Sequence, residues 1–183
     1  CIISKGEIGN INKSKIQDIL NGKDNIDLKR QMLSDSKPNN CSGCYLQEKD
    51  RTDISSISSR LYYLREVGAK TDLNLYDKVE NFTLKHVDLR WTNSCNQACV
   101  YCSPQYSSKW AQELGVKVKS NKEARQEVKD FVFENITQLE NVYLAGGEPM
   151  LMKENFEFLT LLKDKNPNCN IRVNTNLSTT ATG

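Results

Sequence analysis

The sequence predicts an α/β fold in which short parallel strands alternate with helices, preceded by a smaller and mostly helical region. Two observations support this prediction. From about residue 85 onward, the apolar residues change between the two-residue period of a strand and the helical period, in the order strand, helix, strand, helix, strand. Before residue 85 they follow helical spacing only. Because strands joined through helices lie parallel, we expect ligand sites where the strands end.

The composition is that of an ordinary globular protein. Hydrophobic residues make up 38% of the 183 residues, and 25 basic residues nearly balance 23 acidic ones, for a net charge of +2. This charge does not indicate binding to nucleic acid or to an anionic membrane, and the sequence contains no apolar run as long as a membrane span. The chain starts at Cys1 rather than Met, without a signal peptide. We therefore expect a cytoplasmic protein whose natural chain begins before Cys1.

Three short helices are predicted in the first part of the chain. The first contains Ile16 and Ile19 at helical spacing and stops near Gly22. The second ends before Pro38, and the third spans about residues 54–67. We expect residues 1–67 to form one region, the polar and turn-rich residues 68–84 to form a linker, and residues 85–183 to form the α/β domain.

The α/β domain begins with a strand in which Val87 and Leu89 alternate with polar residues. A cysteine-rich loop follows, and Ser120 with Glu123 then forms a candidate capping box for a long helix that extends to Leu139. The remaining elements are a buried strand at residues 142–145, a helix around residues 158–162 that ends at Asn166-Pro167, and a strand in which Ile171, Val173 and Thr175 alternate.

The cysteines indicate metal binding more than disulfide formation. Their number is odd, and five of the seven lie in two tight groups. Soft thiolates at such spacing suit iron–sulfur clusters or zinc. Three local thiolates would leave one iron of a four-iron cluster open, as a catalytic site requires. The seven cysteines are Cys1, Cys41, Cys44, Cys95, Cys99, Cys102 and Cys169.

The run Cys95-Asn96-Gln97-Ala98-Cys99-Val100-Tyr101-Cys102, directly after a strand, resembles the signature of the radical SAM superfamily. The resemblance implies that its three cysteines hold a [4Fe-4S] cluster whose open iron binds S-adenosylmethionine (SAM). It implies that one electron, from a reductant such as flavodoxin or ferredoxin, cleaves a carbon–sulfur bond of SAM. The resulting 5′-deoxyadenosyl radical would take a hydrogen atom from the substrate, and Tyr101 would lie beside the adenine.

The turn Gly146-Gly147-Glu148-Pro149 follows the second strand and resembles the Gly-Gly-Glu motif of the same superfamily. A carboxylate at a strand end can accept a charge-assisted hydrogen bond from an ammonium group. The resemblance implies that Glu148 and the Gly147 backbone bind the amino group of SAM. Asn174 and Asn176, at the end of the third strand, would contact its ribose or carboxylate.

The segment from Cys1 through Cys41-Ser42-Gly43-Cys44 resembles the SPASM and Twitch regions of radical SAM maturases. The resemblance implies that Cys1, Cys41 and Cys44 bind a second iron–sulfur cluster. Structural zinc at this pair is the alternative, as is a zinc site formed by Cys41, Cys44, Cys99 and Cys102.

The complete core of the superfamily is a partial (β/α)6 TIM-like barrel, so three strands correspond to its first half. We therefore expect a truncated radical SAM core that starts radical chemistry, on a peptide or protein by analogy with the maturases. Within this enzyme class, the alternative substrate is a nucleotide, a cofactor precursor or another small molecule. Outside this class, the alternatives are a non-catalytic zinc-binding module and an inactive truncated product. We assign structural roles to His86, Cys169, Trp91 and Trp110.

Overall fold

The computed structural model describes residues 7–34, 36–49, 58, 60–62, 65, 82–119 and 121–179. The chain divides into two compact units, residues 1–82 and residues 83–183. Within the described residues, none of the helices is long and apolar enough to cross a membrane. Most of the predicted linker at residues 68–84 lies outside the described residues.

The first unit is helical where it is described. Helices α1 (Ile16–Leu20) and α2 (Lys23–Leu33) confirm the first two predicted helices, and Gly22 separates them as the N-cap of α2. A third helix, α3 (Ser42–Lys49), was not predicted, because a glycine and several polar residues obscure its apolar spacing. Of the helix predicted over residues 54–67, residues 60–62 and 65 are helical, and most of the others lie outside the described residues.

The second unit contains a three-stranded parallel sheet with strand order β1-β2-β3. Its strands are β1 (His86–Leu89), β2 (Asn141–Leu144) and β3 (Asn170–Val173). The three predicted strands are therefore present in the predicted order, whereas the short helix at Ser108–Glu113, which precedes the predicted long helix, was not predicted. The helices of this unit are α4 (Ser108–Glu113), α5 (Lys122–Glu134) and α6 (Lys153–Lys165).

Two local predictions in this unit were wrong. The N-cap of α5 is Asn121 rather than the predicted Ser120, and the Asn121 side chain accepts a hydrogen bond from the Ala124 N–H at 3.0 Å. The long helix also ends at Glu134, and the chain continues in a 3-10 turn at Ile136–Gln138. Ile136 and Leu139 are nevertheless buried, which explains why their spacing resembled a continuing helix.

The hydrophobic core lies on one face of the sheet. Val87 and Leu89 of β1 are buried while their neighbours in the strand are exposed, and β2 buries Val142 and Leu144. Helices α5 and α6 contribute further buried side chains to this core, including Phe131, Val132, Phe158 and Leu162. The predicted two-residue period of β1 is thus the burial pattern of a sheet with one covered face.

The third strand differs from the other two. All four residues of β3 are exposed, including Ile171 and Val173. Among the described residues β3 pairs only with β2, so it forms an edge of the sheet. The alternation predicted from Ile171, Val173 and Thr175 therefore identified a strand but not a buried face, and the strand ends before Thr175.

We expect Phe158→Ala to have a large effect on stability. Phe158 is fully buried on α6, and its ring lies 5.6 Å from that of Phe133. Removing a buried phenylalanine should lower the free energy of unfolding by about 3–5 kcal/mol. Urea denaturation would measure this loss. Phe156→Ala, on the same helix but 37% exposed, is the control and should cost less than about 1 kcal/mol. Equal losses for the two variants would contradict the assigned core.

His86, at the start of β1, should make stability depend on pH. Desolvation lowers the pKa of His86 below its ordinary value of 6.5, and Arg172 lowers it further, against an opposing effect of Asp88. The unfolded chain therefore binds a proton first as the pH falls, so the free energy of unfolding decreases below about pH 6.5. His86→Gln should remove this part of the dependence in urea titrations between about pH 8 and pH 5.5. Parallel curves for the variant and the wild type would reject this assignment.

Candidate functional site

The predicted site residues follow the carboxyl ends of three adjacent parallel strands. The cysteine loop follows β1, the glycine pair follows β2, and the Asn174-Thr175-Asn176 segment follows β3. Leu89, Leu144 and Val173, the last residues of the strands, lie in register. All three loops therefore start at one edge of the sheet, as ligand sites do in parallel α/β folds.

Helix α4 holds the cysteine loop in place. The Ser108 hydroxyl accepts from the Cys95 N–H and donates to the Cys95 carbonyl, both at 3.0 Å. The buried Ser107 hydroxyl donates to the Gln97 carbonyl at 2.6 Å and also caps α4. The Trp110 indole N–H donates to the Cys99 carbonyl at 2.7 Å. Three residues at the start of one short helix thus form hydrogen bonds with the backbone of three residues of the loop.

The three thiols of the loop are free and half-buried. The Cys102 N–H donates to the Cys99 carbonyl at 2.9 Å, which closes a tight turn between these two cysteines. The Cys99 thiol lies 3.6 Å from the Gln97 side-chain oxygen, and the Cys102 thiol lies 3.8 Å from the Ser103 carbonyl oxygen. These weak contacts leave the sulfur atoms available as ligands.

Tyr101 projects into solvent from the tip of the cysteine loop. It is 90% exposed, and the neighbouring Val100 is 94% exposed. Interaction with the neighbouring Cys99 thiol raises the pKa of Tyr101 above its ordinary value. The ring is therefore next to a proposed cluster ligand and is open on its other side, which is compatible with stacking against a flat ligand.

The two glycines are needed for different reasons. Gly146 has a φ of +103°, which is a conformation that residues with a side chain rarely adopt. Gly147 packs directly against the loop after β1, because a Cβ at this position would overlap the Ser94 carbonyl oxygen. The Gly147 N–H donates to the Thr92 carbonyl at 3.1 Å, and the Glu148 N–H donates to the Ser94 carbonyl at 2.7 Å. The glycine turn and the cysteine loop are thus joined through their backbones.

Glu148 is a buried acid at the centre of the site, with 1% of its surface exposed. One of its carboxylate oxygens accepts from the Met150 N–H at 2.9 Å and from the Thr175 hydroxyl at 2.6 Å. The other accepts from the Asn176 N–H at 2.7 Å. An ionised carboxylate has about four acceptor positions, so one position remains on the second oxygen.

The structure places Asn174 and Asn176 differently. Asn174 is exposed, and its N–H donates to the Leu144 carbonyl at 2.9 Å, which extends the β2–β3 pairing by one bond. Asn176 is half-buried and lies against the cysteine loop, with its amide nitrogen 3.9 Å from the Cys95 sulfur and 3.0 Å from the Asn96 side-chain oxygen. Because β3 ends at Val173, strand alternation does not determine the side on which Asn176 lies.

A small cleft borders the site next to the residues that follow β1. It has a volume of about 200 Å³, and Gly146 and Lys119 are among its lining residues. Arg90 in its wall forms a two-point ion pair with Asp88 at 2.8 and 2.9 Å, and its guanidinium lies over the Tyr106 and Tyr143 rings. This volume is below the roughly 300–1,000 Å³ of typical small-molecule pockets. The cleft can therefore hold only part of a ligand.

Sequence analysis missed the residues that support the site. Thr175 and Ser107 were not singled out, and Trp110 was assigned to packing alone although it also bonds to the Cys99 carbonyl. Asn155 was also missed: it accepts from the Trp91 indole N–H at 2.8 Å and donates to the Pro149 carbonyl at 2.9 Å. Only Ser107 had a local signal, as a serine directly before a helix.

The second cysteine pair lies in the first unit. Cys41 ends the 3-10 turn Asn39–Cys41 and is half-buried, and Cys44 on α3 is 2% exposed. Both are free thiols about one helical turn apart, so the two sulfur atoms could bind the same metal ion or cluster. Nearby, Glu48 accepts hydrogen bonds from Arg60 and Ser58, and the Arg60 bond lowers the pKa of Glu48. Cys1 lies outside the described residues.

The donor atoms of the cysteine loop suit an iron–sulfur cluster. Three soft thiols lie on one anchored loop, which is the number that leaves one iron of a four-iron cluster open. Among the described residues, no group of three cysteine, histidine, aspartate or glutamate side chains is arranged to hold a single metal ion.

Comparison with known families agrees with this chemistry. The family model of the Radical SAM superfamily matches residues 89–181, which is half of the chain and includes all three strand-end loops. No curated protein matches the chain, and no solved structure matches it either. Membership of this family implies a [4Fe-4S] cluster, SAM, a substrate and a reductant. The chain belongs to the radical SAM superfamily and is an enzyme.

Proposed function

We propose that Cys95, Cys99 and Cys102 hold the [4Fe-4S] cluster and that the loops after β2 and β3 bind SAM. In this arrangement the Gly147 backbone and the remaining acceptor position of Glu148 take up the amino group of SAM. Tyr101 stacks beside the adenine, Gly146 lets the chain approach the cofactor, and Asn174 and Asn176 contact its ribose or carboxylate.

One observation carries this proposal. Asn176 donates its backbone N–H to Glu148 at 2.7 Å, and its side-chain amide lies 3.9 Å from the Cys95 sulfur. The proposed ligand of the cofactor's amino group and a proposed ligand of the cluster therefore share one neighbour. This closeness is what a cofactor that binds the cluster through its own amino and carboxylate groups requires.

When bound, the cluster would supply the electron for reductive cleavage of SAM, the chemistry by which a radical SAM enzyme starts hydrogen-atom abstraction from its substrate. The residues of this chain bind and orient the reactants for that step. Glu148 is buried, so water competes little for the remaining acceptor position on its side chain. The backbone bonds between the glycine turn and the cysteine loop keep the two binding sites at a constant separation.

We propose a peptide or protein as the substrate. This proposal rests on the resemblance of residues 1–67 to SPASM and Twitch regions, and fold analogy alone does not establish a substrate. The Cys41 and Cys44 thiols, one turn apart in the first unit, support a second iron–sulfur cluster. We also propose that the protein is cytoplasmic and receives its electron from flavodoxin or ferredoxin.

The test is production of 5′-deoxyadenosine by the anaerobically reconstituted protein with dithionite and SAM. We expect a slow background rate that rises when a pool of short synthetic peptides is added and does not rise with a pool of nucleotides. Transfer of deuterium from deuterated peptides to 5′-deoxyadenosine would identify the hydrogen donor. A response to nucleotides alone would reject the peptide class while leaving radical SAM activity in place.

Metal counting tests the second cluster. The double variant Cys41→Ala/Cys44→Ala should lose iron and sulfide relative to wild type while it keeps the roughly four irons of the SAM cluster. If wild type instead contains zinc that this variant loses, the pair is a structural zinc site. An unchanged metal content would reject both assignments.

A further inference from the structure

The hydrogen bonds of the Asn176 side chain determine which way its amide group points. Its amide oxygen accepts the backbone N–H of Ser178 at 2.9 Å, and a backbone N–H can only donate. The amide nitrogen must therefore be the group that faces the cysteine loop. One of its hydrogens points to the Asn96 side-chain oxygen at 3.0 Å, and the other is available to the Cys95 sulfur at 3.9 Å.

Two neighbours hold Asn176 in this position. Its backbone N–H is bound to the buried carboxylate of Glu148, and the preceding Thr175 donates its hydroxyl to the same carboxylate. The Thr175 oxygen also accepts the N–H of Leu177 at 3.1 Å, and Leu177 has a φ of +53°. These contacts define the turn after β3 and so the distance from the Asn176 amide to Cys95.

We infer that Asn176 tunes the cluster held by Cys95, and that Glu148 and Thr175 are positioning residues for it. This inference rests on the proposed function. An amide N–H directed at a thiolate withdraws negative charge from the sulfur, which favours the reduced state of the cluster. The hydrogen bond strengthens when Cys95 is deprotonated as a ligand, because the acceptor is then charged. Loss of the amide should make the cluster harder to reduce.

The test is a redox titration of the reconstituted protein, followed by electron-spin resonance, for wild type, Asn176→Leu and Asn170→Ala. Leucine has a similar size and lacks the donor. We expect Asn176→Leu to bind the same iron and sulfide but to have a more negative midpoint potential, with about a fivefold lower ratio of reduced to oxidised cluster at a given potential. Asn170→Ala, at the opposite end of β3, should titrate like wild type.

A full cluster with an unchanged potential in Asn176→Leu would overturn the inference. If that variant does not take up a cluster, the Thr175→Val and Thr175→Ser variants test the inference instead. Valine has the shape of threonine without its hydroxyl, so it should shift the potential in the negative direction, whereas serine keeps the hydroxyl and should match wild type. Equal potentials for these two variants would also overturn the inference. Absence of a cluster from wild type would instead reject the proposed function.

Discussion

Replacing Cys95, Cys99 and Cys102 together by alanine is expected to remove about four irons, with their sulfide, from the reconstituted protein. Production of 5′-deoxyadenosine should fall to the level of a protein-free control, because no other thiols lie on this anchored loop. Iron and sulfide analysis measures the first effect, and chromatography of the SAM products measures the second. The electron-spin resonance change that SAM induces in the reduced wild-type cluster should also disappear.

Cys169→Ala is the matched control for this experiment. Cys169 is a free thiol just before β3, outside both cysteine groups, and burial raises its pKa, which disfavours the thiolate. This variant should keep the metal content and activity of wild type. Zinc without labile sulfide in the wild-type protein would contradict the enzyme mechanism proposed here. A cluster whose spectrum does not respond to SAM would support the thiol ligands but reject the proposed SAM site.

Gly147→Ala should disrupt the site through its backbone. A Cβ at this position would lie 2.6 Å from the carbonyl carbon of Ser94 and 2.7 Å from that of Asn93, and backbone atoms cannot move aside as a flexible side chain can. The glycine turn must then separate from the cysteine loop and lose the hydrogen bonds to Thr92 and Ser94. We expect a loss of about 3 kcal/mol in the free energy of unfolding, at the upper end for overpacking.

The same displacement should also reduce catalysis. Misplacing a binding group by about 1 Å can lower a rate by about 100-fold, so we expect at least that loss in 5′-deoxyadenosine production. Gly115→Ala is the control: its φ of +63° makes alanine unfavourable by about 1 kcal/mol, but no atom lies within 4 Å of the added Cβ. Near-wild-type activity in Gly147→Ala would show that the two loops do not need this close contact.

The three strands and the two longer helices of the second unit could be predicted because their signals are local. Val87 and Leu89 alternate with polar residues over a few positions, and Asn166-Pro167 ends a helix by its own backbone chemistry. The predicted cap of α5 was wrong because two adjacent residues carry the same local signal. Ser120 and Asn121 are both good caps, and which one bonds to a free N–H depends on where the chain turns into the helix. Composition alone does not determine that turn.

The local sequence pattern was enough to predict which residues carry the chemistry, since thiols, glycines and a carboxylate act through their own atoms at short spacing. The contacts that support these residues are visible only in the folded protein. Asn176 is 28 residues from Glu148 and 81 residues from Cys95 along the chain. They meet because three parallel strands end at the same edge of one sheet, which brings together loops that are distant in sequence. No local pattern around Thr175, Trp110 or Asn155 could have predicted those contacts.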